Sequence, residues 1–341
     1  MSSGVSQGQG FKPAVILAPV LEESKGQNDM QQVQCWKPQQ VWKDRKGHQR
    51  YRCPKCGKTF IEPHNGNFAS MYTPTEKATA IIKLLVEGGS VRSIERLTDT
   101  HRDTILRVLV NAGERCAQLL EDRIQGVVVK DVQCDEMWGF VGCKEKRNIL
   151  DHPERGDAYC FVAIERHNKL VLSWHLGKRT AKDTEVFIDK LDMATSGNFQ
   201  ISTDGFRAYP EAIHTALGTR VDYGQIIKVY GQPADDEHRY SPARVISAIR
   251  NAVWGNPDDQ RICTSHIERQ NLTMRMHIRR LTRLTNAFSK KWENLKAALA
   301  LYFAWYNFCR IHKSLKMTPM MEAGLTTHVW TVEKLIGATR L

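Results

Sequence analysis

The 341-residue sequence has no hydrophobic run long enough to cross a bilayer. Its most apolar N-terminal stretch, PAVILAPVL at residues 13 to 21, is much shorter than the about 20 residues that a membrane-spanning helix needs. No basic segment precedes this stretch, so a secretory signal is not expected. The sequence therefore predicts a protein that has no membrane partner.

The sequence is also poor in acidic residues relative to basic ones, and its cysteines follow no regular pattern. Asp and Glu number 37 against 49 Lys and Arg, which gives a formal net charge of +12. This excess predicts a polyanionic partner, with nucleic acid as the first candidate. The nine cysteines are odd in number and irregularly spaced, which argues against a disulfide framework and favours a reducing cytoplasm.

The N-terminal cysteines do not complete a metal site by themselves. Cys53 and Cys56 form a CxxC turn of the kind that binds zinc, but the residue three positions after Cys35 is a proline. His48 or His64 could supply the missing ligand, and the spacing does not choose between them. We therefore predict either one structural Zn²⁺, bound by Cys35, Cys53, Cys56 and His48, or a small ribbon that has lost the ion.

The chain around these cysteines is strongly basic. Residues 36–60 contain eight Lys or Arg against one Asp, with aromatic residues interleaved. Such a mixture suits phosphate contacts combined with base stacking, although a solvated basic loop is the alternative. We predict a zinc-ribbon-like DNA-binding element over residues 31–65 that includes Arg50 and Arg52. Residues 1–30, rich in Ser, Gly and Gln, are expected to form a flexible tail.

Residues 72–122 show three successive helical patterns. Ser90 is a candidate N-cap for the second helix and Thr100 for the third. Three short helices in this order are typical of a helix-turn-helix, whose last helix enters the major groove. We expect Arg102 and Arg107, at the start of that helix, to contact DNA, although helical trios also occur in proteins that bind none.

Three acidic residues are placed where a metal site can form. Asp135 in VQCDEMWGFVG and Asp204 in ISTDGFRAYP lie at the ends of strand-like runs, and Glu268 opens a periodic helix. Two carboxylates at strand ends, joined by a third from a helix, give the oxygen-rich site that Mg²⁺ prefers. The sequence therefore predicts a centre for two Mg²⁺ or Mn²⁺ ions that acts on phosphodiesters.

The helix that carries Glu268 separates an apolar face from a basic one. At 100° per residue, Ile267, Met274, Ile278 and Leu281 fall in one stripe, which predicts the core side. Residues 268–316 contain eleven Lys or Arg against two acidic residues, which favours a DNA surface over a solvated face. The predicted DNA contacts here are His266, Asn271, Arg275, Arg279, Arg280 and Arg283.

The region around the acidic residues alternates strand and helix patterns, which predicts an α/β domain with a mixed sheet over residues 126–316. Within it, residues 232–261 are expected to form a loop-rich insertion before the glutamate helix. Residues 317–341 are expected to form a short C-terminal tail.

Four motifs follow one another along the chain: DEMWGFVG at 135–142, TDGFRAYP at 203–210, HIERQNLTMRMHIRRLTR at 266–283 and FSKKWE at 288–293. Together they resemble the bacterial transposases of the insertion sequence one group, within the class that has an Asp, Asp, Glu triad. The resemblance implies a ribonuclease-H-like catalytic domain in which Asp135, Asp204 and Glu268 are the catalytic, metal-binding residues.

The same resemblance implies a DNA transposase that binds terminal inverted repeats, cleaves the element ends and transfers them into target DNA. Its partners would be double-stranded DNA, both transposon ends and target, and further copies of the chain in a dimer or larger assembly. Its expected location is the bacterial cytoplasm, associated with the nucleoid. The alternatives are a catalytically inactive DNA-binding regulator of element ends and a metal nuclease that hydrolyses but never joins.

Overall fold

The computed structural model describes residues 39–43, 49–54, 57–61, 73–148, 152–231, 245–283 and 285–338. The chain divides into two compact units, Met1–Pro63 and His64–Leu341. The tail predicted over residues 1–30 lies outside the described residues. So do Cys35, His48, Cys56 and His64, and zinc binding therefore stays a prediction.

Three strands form the described part of the first unit. β1 (Gln39–Lys43), β2 (Gln49–Arg52) and β3 (Thr59–Ile61) build an antiparallel sheet in the order β1-β2-β3. The chain turns directly after β2, where the buried Cys53 donates its N–H to the carbonyl of Lys58 at 2.8 Å.

The second unit opens with α1 (Thr75–Val86), α2 (Val91–Thr98) and α3 (Arg102–Arg123). The predicted cap of α2 is confirmed, because the Ser90 hydroxyl accepts from the N–H of Ser93 at 3.0 Å.

The predicted cap of α3 is wrong, since His101 rather than Thr100 holds that position. The His101 ring Nδ1 accepts from the N–H of Asp103 at 3.3 Å. The Thr100 hydroxyl instead donates to the carbonyl of Thr98, because Asp99 adopts a left-handed conformation that directs Thr100 back towards α2.

The remaining elements alternate between strands and helices. They are β4 (Val127–Val128), β5 (Asp131–Val141), β6 (Gly156–Glu165), β7 (Val171–Gly177), α4 (Ala181–Ala194), β8 (Thr195–Ser196), β9 (Phe199–Thr203), α5 (Tyr209–Leu217), β10 (Val221–Tyr230), β11 (Val245–Trp254), α6 (Ser265–His277), α7 (Trp292–Phe308), α8 (Pro319–Glu322) and α9 (Val332–Ala338), with short 3₁₀ turns at Glu145–Arg147, Gly218–Arg220 and Arg279–Leu281.

Six of these strands form a mixed sheet in the order β11-β10-β9-β5-β6-β7. β5, β6 and β7 make an antiparallel meander, β9 runs parallel to β5 and β10, and β11 is antiparallel to β10. Helices cover both faces, since α4 places Phe187 5.6 Å from Phe161 and α7 places Phe303 5.5 Å from Trp174. Phe161 and Trp174 face opposite ways because the register pairs Trp174 with Val162. A mixed sheet flanked by helices in this way fits a ribonuclease-H-like fold.

β11 occupies part of the segment for which the sequence predicts a loop-rich insertion. Its backbone pairs with β10 from Val245 to Trp254, and most of its residues are exposed. Backbone hydrogen bonds to β10, rather than one buried face, hold β11 in the sheet. Its hydrophobic pattern therefore does not predict a strand.

α7 joins the helical and sheet parts of the second unit. It is buried around most of its circumference and packs against α3 so closely that a Cβ on Gly113 would lie 2.4 Å from the carbonyl oxygen of Ala297. At its other end, the Asn307 amide bonds both backbone groups of Val171, at 3.1 and 3.0 Å. Leu335 of α9 is also buried, so the predicted C-terminal tail contributes to this core. In the part of the chain that the structure describes, no helix has the length and apolar character to cross a membrane.

Candidate active site

Asp135 and Asp204 are brought together by the pairing of β5 with β9. The parallel register places Gln133 beside Ser202, and the two aspartates each follow that pair by two residues. β9 ends at Thr203, so Asp204 follows a strand end as predicted, whereas the predicted strand end is wrong for Asp135, because β5 continues to Val141. The sheet opens at this point because β9 stops while β5 goes on. The two carboxylates therefore lie at the edge of a cleft rather than beneath a neighbouring strand.

Backbone and amide donors orient both aspartates. The Asn271 amide, on α6, donates to Asp135 Oδ2 at 2.7 Å. The N–H of Phe206 donates to Asp204 Oδ1 at 2.9 Å in the turn that follows β9. The Gln225 amide donates to the Asp204 carbonyl at 3.2 Å, which fixes the backbone of that turn.

Glu268 reaches the same cleft from the first turn of α6. The start of this helix is attached to the sheet, because Gln133 Oε1 accepts from the backbone N–H groups of His266 and Ile267 at 3.0 and 3.2 Å. The predicted apolar stripe is confirmed on the helix for Ile267 and Met274, which are buried. Ile278 and Leu281 are also buried, but they lie beyond the helix end at His277, so the predicted helical stripe is wrong for these two residues. The Thr264 hydroxyl donates to Glu268 Oε1 at 2.6 Å, and Lys228 of β10 forms an ion pair with the same oxygen.

The cleft has a volume of about 610 Å³. Acidic, basic and apolar side chains share its surface. Its lining residues are Asp135, Arg179, Asp204, Gly205, Phe206, Arg207, Ile226, Ile227, Lys228, Thr264 and Glu268.

Glu136 adds a fourth carboxylate that the sequence analysis did not identify. Ligand oxygens of Asp135, Glu136 and Asp204 all lie within 4.8 Å of one another, and this group of described residues does not include Glu268. Alternation along a strand sends Glu136 to the face opposite Asp135, so the strand pattern alone does not group these two acids. The early end of β9 leaves room for both side chains at the sheet edge.

Crowding of these carboxylates in a buried place perturbs their titration. Burial, followed by the charges of Glu136 and Asp204, raises the pKa of Asp135 to about 8. Burial, followed by the charge of Asp204, raises the pKa of Glu136 to about 7. Neighbouring negative charges and the low dielectric of a buried site both oppose ionisation of these carboxylates. The positive charge beside the cluster is not enough to offset them.

The donor atoms fit a hard divalent cation. Glu136 Oε1 and Asn271 Oδ1 are buried without a hydrogen-bond partner of good geometry among the described residues, and the Tyr209 hydroxyl lies close enough to Glu136 to lower the pKa of that carboxyl. Buried oxygens in this condition are uncommon, and a bound cation would satisfy them. Asp135, Glu136 and Asp204 can therefore hold a divalent metal ion.

One basic residue outside the predicted set approaches this cluster. Arg179, between β7 and α4, donates to Glu136 Oε2 at 3.2 Å and lies 3.7 Å from Asp204 Oδ2. Its guanidinium also covers the ring of Phe206, 4.3 Å from the centroid. The sequence offered no signal for Arg179, since it lies outside the motifs and joins the site only through the turn after β7.

The predicted DNA contacts near α6 have differing surroundings. Arg279 and Arg283 are exposed. Arg275 donates to the carbonyls of Leu281 and Trp138, at 2.8 and 3.1 Å, so part of its guanidinium fixes the backbone after α6.

Two further members of that predicted set are withdrawn from solvent. Arg280 is largely enclosed, and burial lowers its pKa to about 10. His266 lies 3.2 Å from the Lys169 ammonium, and burial together with the Lys169 charge lowers its pKa to about 4. His266 is therefore neutral at neutral pH.

The predicted DNA contacts nearer the N-terminus lie on exposed or partly exposed surface. Arg52, Arg102 and Arg107 are exposed. Arg50 donates to the Thr59 hydroxyl at 2.9 Å and lies 5.7 Å above the ring of Trp42.

Comparisons with known proteins add little to this geometry. No family model matches the chain, and no curated protein matches it. Among solved structures, a piggyBac transposase in a synaptic complex with hairpin DNA matches with a TM-score of 0.33 and 10% identity. The match covers 78% of this chain and 70% of that one. A likeness this distant carries no argument about fold or function.

Proposed function

We propose that the protein is a metal-dependent DNA transposase that binds the terminal inverted repeats of its element, cleaves the ends and joins them to target DNA. The observation that carries the proposal is the meeting of Asp135, Asp204 and Glu268 in one cleft of the mixed sheet. Two aspartates on neighbouring strands and a helical glutamate are what the sequence resemblance to Asp, Asp, Glu transposases leads one to expect.

Asp135, Asp204 and Glu268 are proposed as the catalytic metal ligands, and Glu136 as an additional one. Carboxylate oxygens without sulfur or imidazole ligands suit Mg²⁺ or Mn²⁺, and we propose two ions. When bound, such ions lower the pKa of water and neutralise the charge that develops on phosphodiester oxygens.

The other residues of the cleft orient these groups and the nucleic acid. Asn271 holds Asp135 in place through its amide, and Thr264 does the same for Glu268 through its hydroxyl. Lys228 and Arg207 line the cleft and can meet the phosphate backbone of a bound strand. Lys228 lies on β10, Asn271 lies on α6 and Thr264 directly precedes α6, which favours ordered rather than adaptable placement of these three side chains.

DNA binding outside the cleft is proposed for two basic regions. The three-stranded element contributes Arg50 and Arg52, and the start of α3 contributes Arg102 and Arg107. The net charge of +12 supports a polyanionic partner. We further propose an assembly of two or more copies, because two element ends are processed together in such a reaction.

The test uses labelled element ends and a supercoiled target, incubated with Mg²⁺ and separately with Ca²⁺. We expect end cleavage and joined products in Mg²⁺, and end binding without cleavage in Ca²⁺. Asp204→Asn should lose both reactions and keep end binding, whereas the matched control Glu211→Gln, an exposed acid on the next helix, should keep all three.

The outcomes separate the competing functions. Cuts without joined products would indicate a nuclease, and metal-independent binding without any nicking would indicate a DNA-binding regulator. Cleavage by Asp204→Asn at the wild-type rate would remove Asp204 from the catalytic centre.

A further inference from the structure

We propose that Arg179 is a resident counter-ion of the acidic cluster, that a divalent cation displaces its guanidinium, and that the displaced guanidinium then binds a nucleic-acid phosphate. The nucleic-acid part of this inference rests on the proposed function, and the cation part rests on the geometry of the cluster.

The first step follows from where the guanidinium lies. Arg179 Nε donates to Glu136 Oε2 at 3.2 Å, and Arg179 Nη2 lies 3.2 Å from the same oxygen and 3.7 Å from Asp204 Oδ2. These two acids and Asp135 are the residues whose oxygens approach within 4.8 Å of one another. Arg179 therefore occupies Glu136 Oε2 and lies beside Asp204 Oδ2, so a cation that binds these two carboxylates brings a second positive charge against the guanidinium.

The second step concerns which part of Arg179 can move. The backbone around it is fixed by Asp183, whose carboxylate accepts from the Lys178 N–H at 3.1 Å and from the Thr180 hydroxyl at 2.7 Å. Gly177 reinforces this anchor, since a Cβ there would lie 2.1 Å from Asp183 Oδ1. Displacement therefore changes the side-chain torsions of Arg179 and leaves its backbone in place.

The third step concerns where the guanidinium goes. The side chain of Arg179 is 42% exposed, whereas that of Glu136 is 2% exposed, so the path away from Glu136 leads towards the open cleft. Lys228 and Arg207 line the same cleft. A planar guanidinium that joins two other cations there has the geometry for bidentate contact with a phosphate.

This exchange couples cation binding to nucleic-acid binding. Without a cation, the positive charge of Arg179 is held by Glu136 and contributes little to attracting a phosphate. With a cation, that charge becomes available, so each ligand favours the other as linkage requires.

The experiment compares Arg179→Gln with its neighbour control Lys178→Gln. Lys178 is also basic, but it bonds Glu145 at 3.3 Å and the carbonyl of Arg155 at 2.9 Å, and neither acceptor belongs to the cluster. Mn²⁺ affinity is measured by calorimetry. Binding of a short double-stranded oligonucleotide is measured by fluorescence anisotropy, with EDTA and with Ca²⁺.

We expect Arg179→Gln to bind Mn²⁺ about fivefold more tightly than wild type, because its competing charge is gone. In Ca²⁺ the same variant should bind the oligonucleotide about fivefold more weakly, with a salt slope lower by about one. In EDTA its oligonucleotide affinity should equal that of wild type, and Lys178→Gln should match wild type in its Mn²⁺ affinity.

Unchanged or weaker Mn²⁺ binding by Arg179→Gln, in a protein with a wild-type melting curve, would overturn the counter-ion role. An equal loss of oligonucleotide affinity in EDTA and in Ca²⁺ would overturn the exchange. If Arg179→Gln does not fold, Arg179→Lys tests the same point, since it keeps the charge but loses the planar fork and should show a smaller gain in Mn²⁺ affinity.

The experiment distinguishes failure of the proposed function from failure of this inference. Mn²⁺ affinity reports the counter-ion role even if the protein cuts no DNA. Wild-type protein that binds no Mn²⁺ would overturn both proposals.

Discussion

The acidic cluster predicts an unusual dependence of stability on pH when no metal is bound. Asp135 has an ordinary pKa of 3.8 and a folded value of about 8, and Glu136 rises from 4.5 to about 7. Between these values the folded protein keeps protons that the unfolded chain has lost, so stability falls as pH rises. Below the ordinary values both states are protonated and the groups contribute nothing to this slope.

The size of the effect follows from the same shifts. A group that is protonated in the folded state and ionised in the unfolded state changes stability by up to ~1.4 kcal/mol per pH unit. For a unit of this size, that corresponds to roughly 2–3 °C in melting temperature per pH unit. A divalent cation reverses the effect, because it favours the ionised carboxylates, so its stabilisation should grow with pH.

The assay is thermal melting from about pH 5 to about pH 8, in EDTA and in Mn²⁺. The double variant Asp135→Asn, Glu136→Gln should have a flatter EDTA curve and a smaller response to Mn²⁺ than wild type. Glu211→Gln, which changes an exposed acid, should retain both features. A wild-type EDTA slope equal to that of the double variant, or an Mn²⁺ effect no larger at the upper pH, would refute the reasoning.

Two other predictions concern positioning and packing. Asn271→Ala removes the donor to Asp135 and should weaken Mn²⁺ binding by roughly 10- to 100-fold, as loss of a group that orients a ligand commonly does. Unaltered Mn²⁺ affinity in calorimetry would show that Asp135 needs no such support. Gly113→Ala should lower stability by ~1–3 kcal/mol in denaturant unfolding, because its Cβ would meet the Ala297 backbone. The control Gly337→Ala, which meets no atom within 4 Å, should lose none, and equal effects of the two changes would contradict this packing argument.

Local signals in the sequence predicted several features correctly. Ile267 and Met274 are buried on α6 as its 3.6-residue period requires, and Ser90 caps α2 through the hydrogen bond that its residue type favours. The mixed α/β character of residues 126–316 also followed from alternating patterns. In each case the signal lies within a short stretch of sequence, so residues close in sequence suffice to reveal the feature.

Features that depend on distant residues were missed. β11 exists because β10 supplies its hydrogen bonds, and its own residues have no single buried face. Glu136 joins the cluster only because β9 ends early, and Arg179 joins it only because the turn after β7 reaches the same edge of the sheet. Neither condition can be read from the residues next to them in sequence.

The most direct test of the central claim is to locate the metal. Crystals grown with Mn²⁺ should show anomalous scattering within coordination distance, about 2.2 Å, of oxygens from both Asp135 and Asp204. An anomalous peak elsewhere, with none at these two carboxylates, would contradict the account of this cleft as the metal-dependent active site.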